Sequence, residues 1–288
     1  MIVFLHNREI DKEAWDKCLN NSVNGLIYAY SWYLDIVSPN WCALVEDNYN
    51  KIFPLPIKKK FGFSYISQPL FTQQLGQFSK EISNNSMEFI MEIPRRVWIK
   101  ALQLNSSNKI TNAKERNNFE LNISENIENI RRKYSQNLRR NLKKASQFAL
   151  KIRKCDSNSL IHLFKRNKGK NLKSLDNKAY DILLVLLNII QEKDKGDCYG
   201  VFKDGELISA AFFTNCLKRS IYLFSASNNI AKSTGANHYL IDTYVSKYKH
   251  DSLILDFEGS MIPSLARFYK SFGSENKKYY LIRKRKTE

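Results

Sequence analysis

Two carboxylates and a tyrosine near the C-terminal end of the sequence are the side chains best suited to acid–base chemistry. Asp256 and Glu258 follow an apolar run at alternating positions, which is typical of a buried strand that emerges at the end of a sheet. Gly259 then interrupts the strand, and Pro263 suits the first turn of a helix that carries Tyr269. A carboxylate can serve as a general base and a tyrosine as a general acid. We expect Glu258 to be the base or to orient the nucleophile, with Asp256 behind it, and Tyr269 to be the acid.

The turn between this strand and helix predicts that Asp256, Glu258 and Tyr269 line one cleft. The same pattern also has an ordinary structural explanation, because a strand, a turn and a helix with aromatic residues four positions apart is common core packing. Glu258 could equally be a carboxylate that caps a helix or pairs with a cation. The spacing of these residues leaves both interpretations open.

The helix that carries Tyr269 resembles the last helix of GNAT acyltransferases. The resemblance rests on Ala266-Arg-Phe-Tyr-Lys-Ser-Phe-Gly273, and Asp256-Phe-Glu-Gly-Ser260 in front of it is more similar to the FemABX-like branch. Members of that branch carry two GNAT-like lobes and transfer an amino acid from aminoacyl-tRNA to a cell-wall precursor, while relatives use other acyl donors. FemABX enzymes typically have a lysine where Tyr269 stands. The resemblance implies either that Tyr269 protonates a leaving thiolate or that Lys270 substitutes for the lysine.

A polar segment before the next predicted helix resembles the phosphate-binding loop of GNAT enzymes. The loop in that family reads [Gln/Arg]-x-x-Gly-x-[Gly/Ala], and its N–H groups and helix N-terminus hold a pyrophosphate. The equivalent here is Lys232-Ser-Thr-Gly-Ala-Asn237, with lysine at the first position and asparagine at the last. The resemblance implies that the donor phosphates contact Lys232, Ser233, Thr234, Gly235 and Asn237. We expect the Gly235 amide to face solvent or an anion.

Positive charge is concentrated in one part of the chain. The net charge is +18, and residues 131–173 contain fifteen Lys or Arg against one acid, Asp156. A stripe of apolar residues from Ile127 to Phe148 predicts one long amphipathic helix, opened by Glu125. Its opposite face presents the predicted polyanion-binding residues Arg132, Arg139, Arg140, Lys143 and Lys144. The segment around Asn137–Ala145 resembles the "N-x-R-R-x-I-x-K-A" helix that opens the second lobe of FemABX-like proteins.

The expected fold is α/β (α+β), with two tandem GNAT-like lobes whose mixed, mostly antiparallel sheets are flanked by helices. We place the lobes at residues 1–118 and 119–288, since residues 105–118 are almost wholly polar and without an apolar period. Strands are predicted at residues 42–45, 52–57, 64–66 and 87–91 of the first lobe. Gln73 and Gln74 lie in a loop that could line the acceptor cleft or be an ordinary polar loop.

Composition limits the classes of site that the chain can contain. The five cysteines include no C-x-x-C pair and the four histidines have no ligand spacing, so we expect reduced thiols and no metal. The longest apolar run, residues 182–190, is too short to span a membrane. The N-terminus lacks the basic and apolar regions of a secretory signal. A cytoplasmic protein, in peripheral contact with a membrane at most, is expected.

These features predict an N-acyltransferase or aminoacyltransferase. The donor would be acyl-CoA or aminoacyl-tRNA as a co-substrate rather than a permanently bound cofactor, and the acceptor a primary amine on a cell-wall or lipid precursor. A backbone N–H near residues 212–214 or Ser225 would stabilise the oxyanion. The alternative is a non-catalytic protein that binds RNA or an anionic membrane through its basic surface.

Overall fold

A computed structural model describes residues 1–81, 86–171, 175–249 and 251–284, which form two compact units. The strands are β1 (Ile2–His6), β2 (Cys42–Glu46), β3 (Lys51–Leu55), β4 (Ile57–Lys60), β5 (Phe63–Ser67), β6 (Phe78–Ser79), β7 (Val97–Leu104), β8 (Lys114–Asn122), β9 (Lys151–Lys154), β10 (Gly196–Lys203), β11 (Glu206–Cys216), β12 (Arg219–Ser227), β13 (Ile254–Asp256) and β14 (Glu275–Lys284). The helices are α1 (Lys12–Asn20), α2 (Ser31–Val37), α3 (Ser86–Met91), α4 (Ile127–Arg132), α5 (Gln136–Ala145), α6 (Ser157–Arg166), α7 (Asn177–Glu192), α8 (Asn229–Thr234), α9 (Ala236–Thr243) and α10 (Pro263–Lys270).

Unit 1 contains residues 1–117 and the C-terminal residues from Lys277 onward. One of its sheets has the order β1-β2-β3-β6 and is antiparallel throughout. In the other group of strands β4 pairs with β5, β5 runs parallel to β7, and β7 pairs with β14. Residues 87–91 were predicted to be a strand but lie in α3, because a short apolar run does not distinguish the two. Phe89 of α3 stacks on Phe53 in the core of the unit.

Unit 2 contains residues 118–276 and has the strand order β8-β13-β12-β11-β10-β9. All neighbours in it are antiparallel except β12 and β13, which are parallel. The mixed sheets flanked by helices that the sequence predicted are confirmed. The core of unit 2 joins inward-facing residues of these strands to α5, α9 and α10. No helix in the described ranges is both long and apolar enough to cross a membrane.

The C-terminal strand is placed differently from the sequence-based division, which kept all residues after 118 in the second lobe. From Lys277 onward β14 is counted with unit 1, since it pairs with β7 through contacts such as Tyr280 with Leu104. The polar segment taken as the connection between lobes also contains the first residues of β8. Strand pairing across a long sequence separation cannot be read from local polarity.

The long basic helix predicted from Glu125 to Phe148 is instead two helices, α4 and α5. Asn126 caps α4 by accepting a hydrogen bond from the Asn129 amide, and Ser135 caps α5 through the Leu138 amide. The Ser135 amide also donates to the Ser271 carbonyl at the end of α10. The break therefore fixes the start of α5 against α10 while the apolar stripe continues.

The turn between α8 and α9 is packed against the backbone of α5. Gly235 lies in this turn at φ 77°, and its N–H donates to the Ala231 carbonyl. A Cβ at this position would lie 2.5 Å from the Asn141 carbonyl oxygen. The expectation that the Gly235 amide faces solvent or an anion is therefore wrong. A glycine is needed here because only a residue without a Cβ lets the turn pack this closely against the backbone of α5.

Gly235→Ala should destabilise the protein more than a matched glycine substitution on the surface. Gly205 has a similar φ of 83° and nothing within 4 Å of its would-be Cβ, so Gly205→Ala adds only the strain of left-handed backbone. We expect about 1 kcal/mol for Gly205→Ala and about 3 kcal/mol for Gly235→Ala, measured as the free energy of unfolding in urea. An equal decrease in the free energy of unfolding in the two variants would show that the packing against Asn141 does not contribute to stability.

Candidate functional site

A cavity of about 710 Å³ lies in unit 2 beside a stretch of β12 that has a strand on one side only. β12 pairs with β13 through Arg219, Ser220 and Ile221, and then continues to Ser227 with β11 on its other side. No described strand pairs with residues 222–227 on the β13 side. In an antiparallel pair alternate backbone groups point away from the partner, so the peptide groups of this stretch are available to a ligand.

The pairing of β12 with β11 contains a bulge next to this stretch. Phe212 is opposite Phe224 and Phe213 is opposite Tyr222, so Leu223 is an extra residue on β12. A bulge bends its strand and redirects the side chains around it, and bulges are frequent near active sites. Here it lies between the two residues of β12, Tyr222 and Ser225, that first reach the cavity.

Three helical segments complete the walls of the cavity. The residues that line it are Tyr222, Ser225, Ala226 and Ser227 of β12, Phe164, Arg166, Asn167 and Lys168 at the end of α6, Asn229, Lys232 and Asn237 of α8 and α9, and Ser264, Leu265, Phe268 and Tyr269 of α10. The described lining thus contains three cations and no Asp or Glu. A lining that combines apolar side chains with cations suits a ligand with an apolar part and anionic groups.

Tyr269 is the predicted catalytic residue that lines this cavity. Its ring stacks on Phe257 with the centroids 5.0 Å apart, and it lies 6.5 Å from the Tyr222 ring. Burial raises the pKa of the Tyr269 phenol, with smaller contributions from Tyr222 and the negative charge of Glu258. The hydroxyl is therefore protonated at neutral pH and able to donate. Among the described residues it has no hydrogen-bond partner.

Tyr222 supplies a second phenol to the cavity. Burial raises its pKa to about 12, while a hydrogen bond with the Ser225 side chain acts in the opposite direction. Both phenols are therefore protonated at neutral pH.

Asp256 is buried in an ion cluster and does not line the cavity. Nη1 of Arg219 is 2.8 Å from its Oδ2 and 2.9 Å from Oε1 of Glu120. The other oxygen, Oδ1, accepts a hydrogen bond from the Glu258 amide at 2.8 Å. Burial raises the pKa of the Asp256 carboxyl to about 6, against the opposing effect of Arg219. These contacts give it a structural role in joining three neighbouring strands.

Glu258 is half-buried and is also outside the lining of the cavity, so the predicted cleft with both carboxylates and Tyr269 is not formed. Its backbone has φ 60°, which is uncommon for any residue other than glycine. Its carbonyl accepts a hydrogen bond from the Phe119 amide. The backbone turns here because Asp256 holds the Glu258 amide. The carboxylate nevertheless lies near enough to Tyr269 to raise the pKa of the phenol.

Lys270 is exposed, and its Nζ lies 5.8 Å from the centroid of the Phe119 ring. Lys270 does not line the cavity, so its position does not allow it to take the place of a lysine at position 269.

The predicted phosphate-binding residues divide into two groups. Lys232 and Asn237 line the cavity, and Asn237 also bridges Ser209 and Ser227 through its side chain. The hydroxyls of Ser233 and Thr234 instead donate to the Ile230 carbonyl of their own helix. A phosphate bound here would therefore contact side chains such as Lys232, and not the backbone N–H groups of the turn between α8 and α9.

The predicted polyanion-binding face is exposed on α4 and α5. Its members are Arg132, Arg139, Arg140, Lys143 and Lys144. Arg139 donates to the Arg132 carbonyl, which connects the two helices. Arg131 differs from these residues, because its guanidinium makes two hydrogen bonds, of 2.9 and 2.6 Å, to the buried Asp242.

Gln73 and Gln74 lie in unit 1. Gln74 is buried and donates to Oε1 of Gln73 at 2.6 Å. Their role in binding an acceptor stays a prediction.

Sequence reasoning missed the contribution of α6 to the cavity. Arg166 and Lys168 belong to the basic tract that the sequence shows, but nothing in their spacing distinguishes them from its solvated members. Ser225 was expected near the oxyanion and does line the cavity. In the described ranges no three His, Cys, Asp or Glu side chains lie close enough together to hold a metal ion.

Comparison with known proteins relates the chain to others through its fold. The structure of FemX matches with a TM-score of 0.70 at 14% identity over 97% of each chain. The C-terminal domain of a protein described as a lysylphosphatidylglycerol synthetase from Agrobacterium fabrum matches with a TM-score of 0.55 at 9% identity, over 96% of this chain and 91% of that one. A tandem GNAT protein from the clavulanic acid biosynthesis pathway matches with a TM-score of 0.52 at 8% identity, over 98% and 97%. No protein-family model and no curated protein matches the sequence.

At these identities the likeness concerns the fold, and for the fold the predicted resemblance to FemABX-like and GNAT proteins is confirmed. The tandem GNAT neighbour agrees with two lobes of that kind in one chain.

Proposed function

We propose that the protein transfers an acyl or aminoacyl group to a primary amine, with the donor seated in the cavity beside residues 222–227 of β12. The observation that carries this proposal is the unpaired strand edge, which offers backbone N–H groups next to a neutral phenol, Tyr269. An acyl transfer needs a donor to the developing oxyanion and a proton for the leaving group, and these are the two groups at hand.

We favour aminoacyl-tRNA over a CoA thioester as the donor. Arg166, Lys168 and Lys232 would contact phosphates through their side chains, whereas the Gly235 amide that a pyrophosphate loop would use is bonded to Ala231. The exposed cations of α4 and α5 give the same unit a surface suited to a longer polyanion. A CoA thioester is the second choice. Either donor places the reaction in the cytoplasm.

In this mechanism the amine attacks the carbonyl carbon of the aminoacyl ester, and a backbone N–H of β12 near Ser225 donates to the oxyanion. The tetrahedral intermediate collapses, Tyr269 gives its proton to the departing ribose oxygen, and the proton lost by the amine returns to the phenol through solvent. The described lining offers no carboxylate or imidazole, so the rate would depend on positioning and on these hydrogen bonds. Burial raises the pKa of the Tyr269 phenol, and the negative charge of Glu258 would add a smaller effect in the same direction.

The proposed acceptor is a primary amine on a cell-wall or lipid precursor, and this part of the proposal rests on the resemblance to FemABX-like proteins. A pool of such amines, offered with labelled aminoacyl-tRNA or acyl-CoA, tests the proposal, and the absence of transfer to every amine would favour a protein that only binds RNA or membrane.

Tyr269→Phe should lower the turnover of the transfer reaction by about a hundredfold, since loss of a general acid typically costs 10²–10⁴. The Phe257 stack keeps the ring in place, so the donor should bind as before. Tyr222→Phe is the matched control, because it removes another buried phenol hydroxyl from the same cavity. A steady-state rate for Tyr269→Phe equal to that of Tyr222→Phe would exclude Tyr269 as the acid.

Replacing Arg139, Arg140, Lys143 and Lys144 with Gln should weaken tRNA binding and flatten its dependence on salt. Each neutralised phosphate contributes about −0.7 to −0.9 to the slope of log K against log salt, so four contacts contribute roughly −3. Filter binding over a series of salt concentrations measures this slope, and the fold should survive because the four side chains are exposed.

A control variant removes the same charge from scattered exposed positions of unit 2, with Gln at Lys151, Lys178, Lys218 and Lys247. If both variants change the slope equally, the face on α5 is only solvated, and a small thioester donor becomes the better proposal.

A further inference from the structure

The hairpin between β4 and β5 in unit 1 ends in a strained and exposed aromatic residue. Phe61 and Gly62 form the turn, with φ 49° and 77°, the pattern of a type I′ turn. Asn, Asp or Gly usually occupies the first position, because a bulky side chain is strained in left-handed backbone. The sequence keeps a phenylalanine there, and residues held in such conformations cluster at functional sites.

The Phe61 side chain gains nothing from packing that would offset this strain. It is 86% exposed, and Nζ of Lys60 lies 5.3 Å from the centroid of its ring. Phe63 next to the turn is 61% exposed. Two exposed phenylalanines at one hairpin tip lower the solubility of a protein, and the positive φ of Phe61 also lowers its stability. Such a patch indicates a surface that contacts an apolar partner or the apolar part of a membrane.

Aromatic residues continue from the tip along one face of the strands. Tyr65 is opposite Lys58 on β4 and beside Trp98 on β7, with the two rings 6.0 Å apart. Trp98 is 40% exposed, and Lys100 lies over the Tyr65 ring at 5.9 Å. Trp and Tyr behind an apolar tip form the arrangement found at the level of lipid headgroups.

Cations surround this aromatic hairpin, by which we mean β4, the turn Phe61–Gly62 and β5. Residues 57–67 and 94–104 contain six cations and no acid: Lys58, Lys59, Lys60, Arg95, Arg96 and Lys100. All six are exposed. The nearest acids in sequence are Glu88 and Glu92, in and just after α3. Each cation near an anionic bilayer adds to the attraction, and the apolar tip adds hydrophobic transfer.

We propose that the aromatic hairpin docks the protein on an anionic lipid surface, with Phe61 and Phe63 entering the headgroup region and the lysines contacting phosphate groups. A single-stranded RNA fits the observations less well, since a stacking platform needs ring faces open on a flat sheet. Here Tyr65 and Trp98 meet edge to face at 78°, and the most exposed ring stands at the tip of the turn. This surface belongs to unit 1, and its proposed role does not depend on the transfer reaction.

Phe61→Asn tests the proposal on the full-length chain. Asparagine tolerates left-handed backbone, so the variant should be at least as stable as the parent protein in urea unfolding. Its partitioning onto vesicles of phosphatidylcholine with phosphatidylglycerol, measured by co-sedimentation, should fall by about tenfold. Replacing Lys58, Lys59 and Lys60 with Gln should lower it by on the order of a hundredfold, and vesicles of phosphatidylcholine alone should bind the parent protein weakly.

Val185→Gln is the control for loss of an exposed apolar side chain, because Val185 is 51% exposed on α7 of unit 2. Its vesicle binding should equal that of the parent protein. The proposal is overturned if the parent protein does not bind anionic vesicles, or if Phe61→Asn binds them unchanged. It is also overturned if Phe61→Asn loses affinity for polyuridylate while vesicle binding is retained, which would assign the surface to RNA.

Discussion

The ion cluster around Arg219 is the interaction on which the candidate site depends. One guanidinium at the start of β12 pairs with Asp256 at the end of β13 and with Glu120 on β8, so a single largely buried side chain joins three neighbouring strands. Removing one partner of such a buried group typically costs about 3–5 kcal/mol, because the remaining charges are left uncompensated. The cluster fixes the point up to which β12 and β13 run together.

Beyond that point the chain separates, and the separation creates the site. The Asp256 carboxylate holds the Glu258 amide, Glu258 adopts a positive φ, and β13 ends. β12 continues to Ser227 without β13, and α10 returns beside it with Tyr269 facing the cavity. The carboxylates predicted to perform the chemistry therefore shape the cavity, while the groups that face a ligand are phenols, hydroxyls, cations and backbone.

Local patterns in the sequence predict much of this fold and less of the site. The periodicity of α7 and the Asp204-Gly205 turn between β10 and β11 indicate their elements directly, because each depends on neighbours in the chain. The resemblance around Tyr269 places that residue well. The break at Ser135, the burial of Asp256 and the approach of Arg166 to the cavity depend on contacts between segments far apart in sequence. No local period encodes such contacts.

Hydrogen exchange with and without donor tests most directly whether the donor occupies the cavity beside β12. With charged tRNA in excess, the amides of residues 222–227 and of α10 should exchange more slowly, since backbone groups of the unpaired edge would bond to the donor and α10 would be covered. The β10–β11 turn at Gly205, which is not part of the lining, should be unchanged. Transfer activity without protection at residues 222–227 would contradict the account, because the donor would then bind elsewhere in the protein.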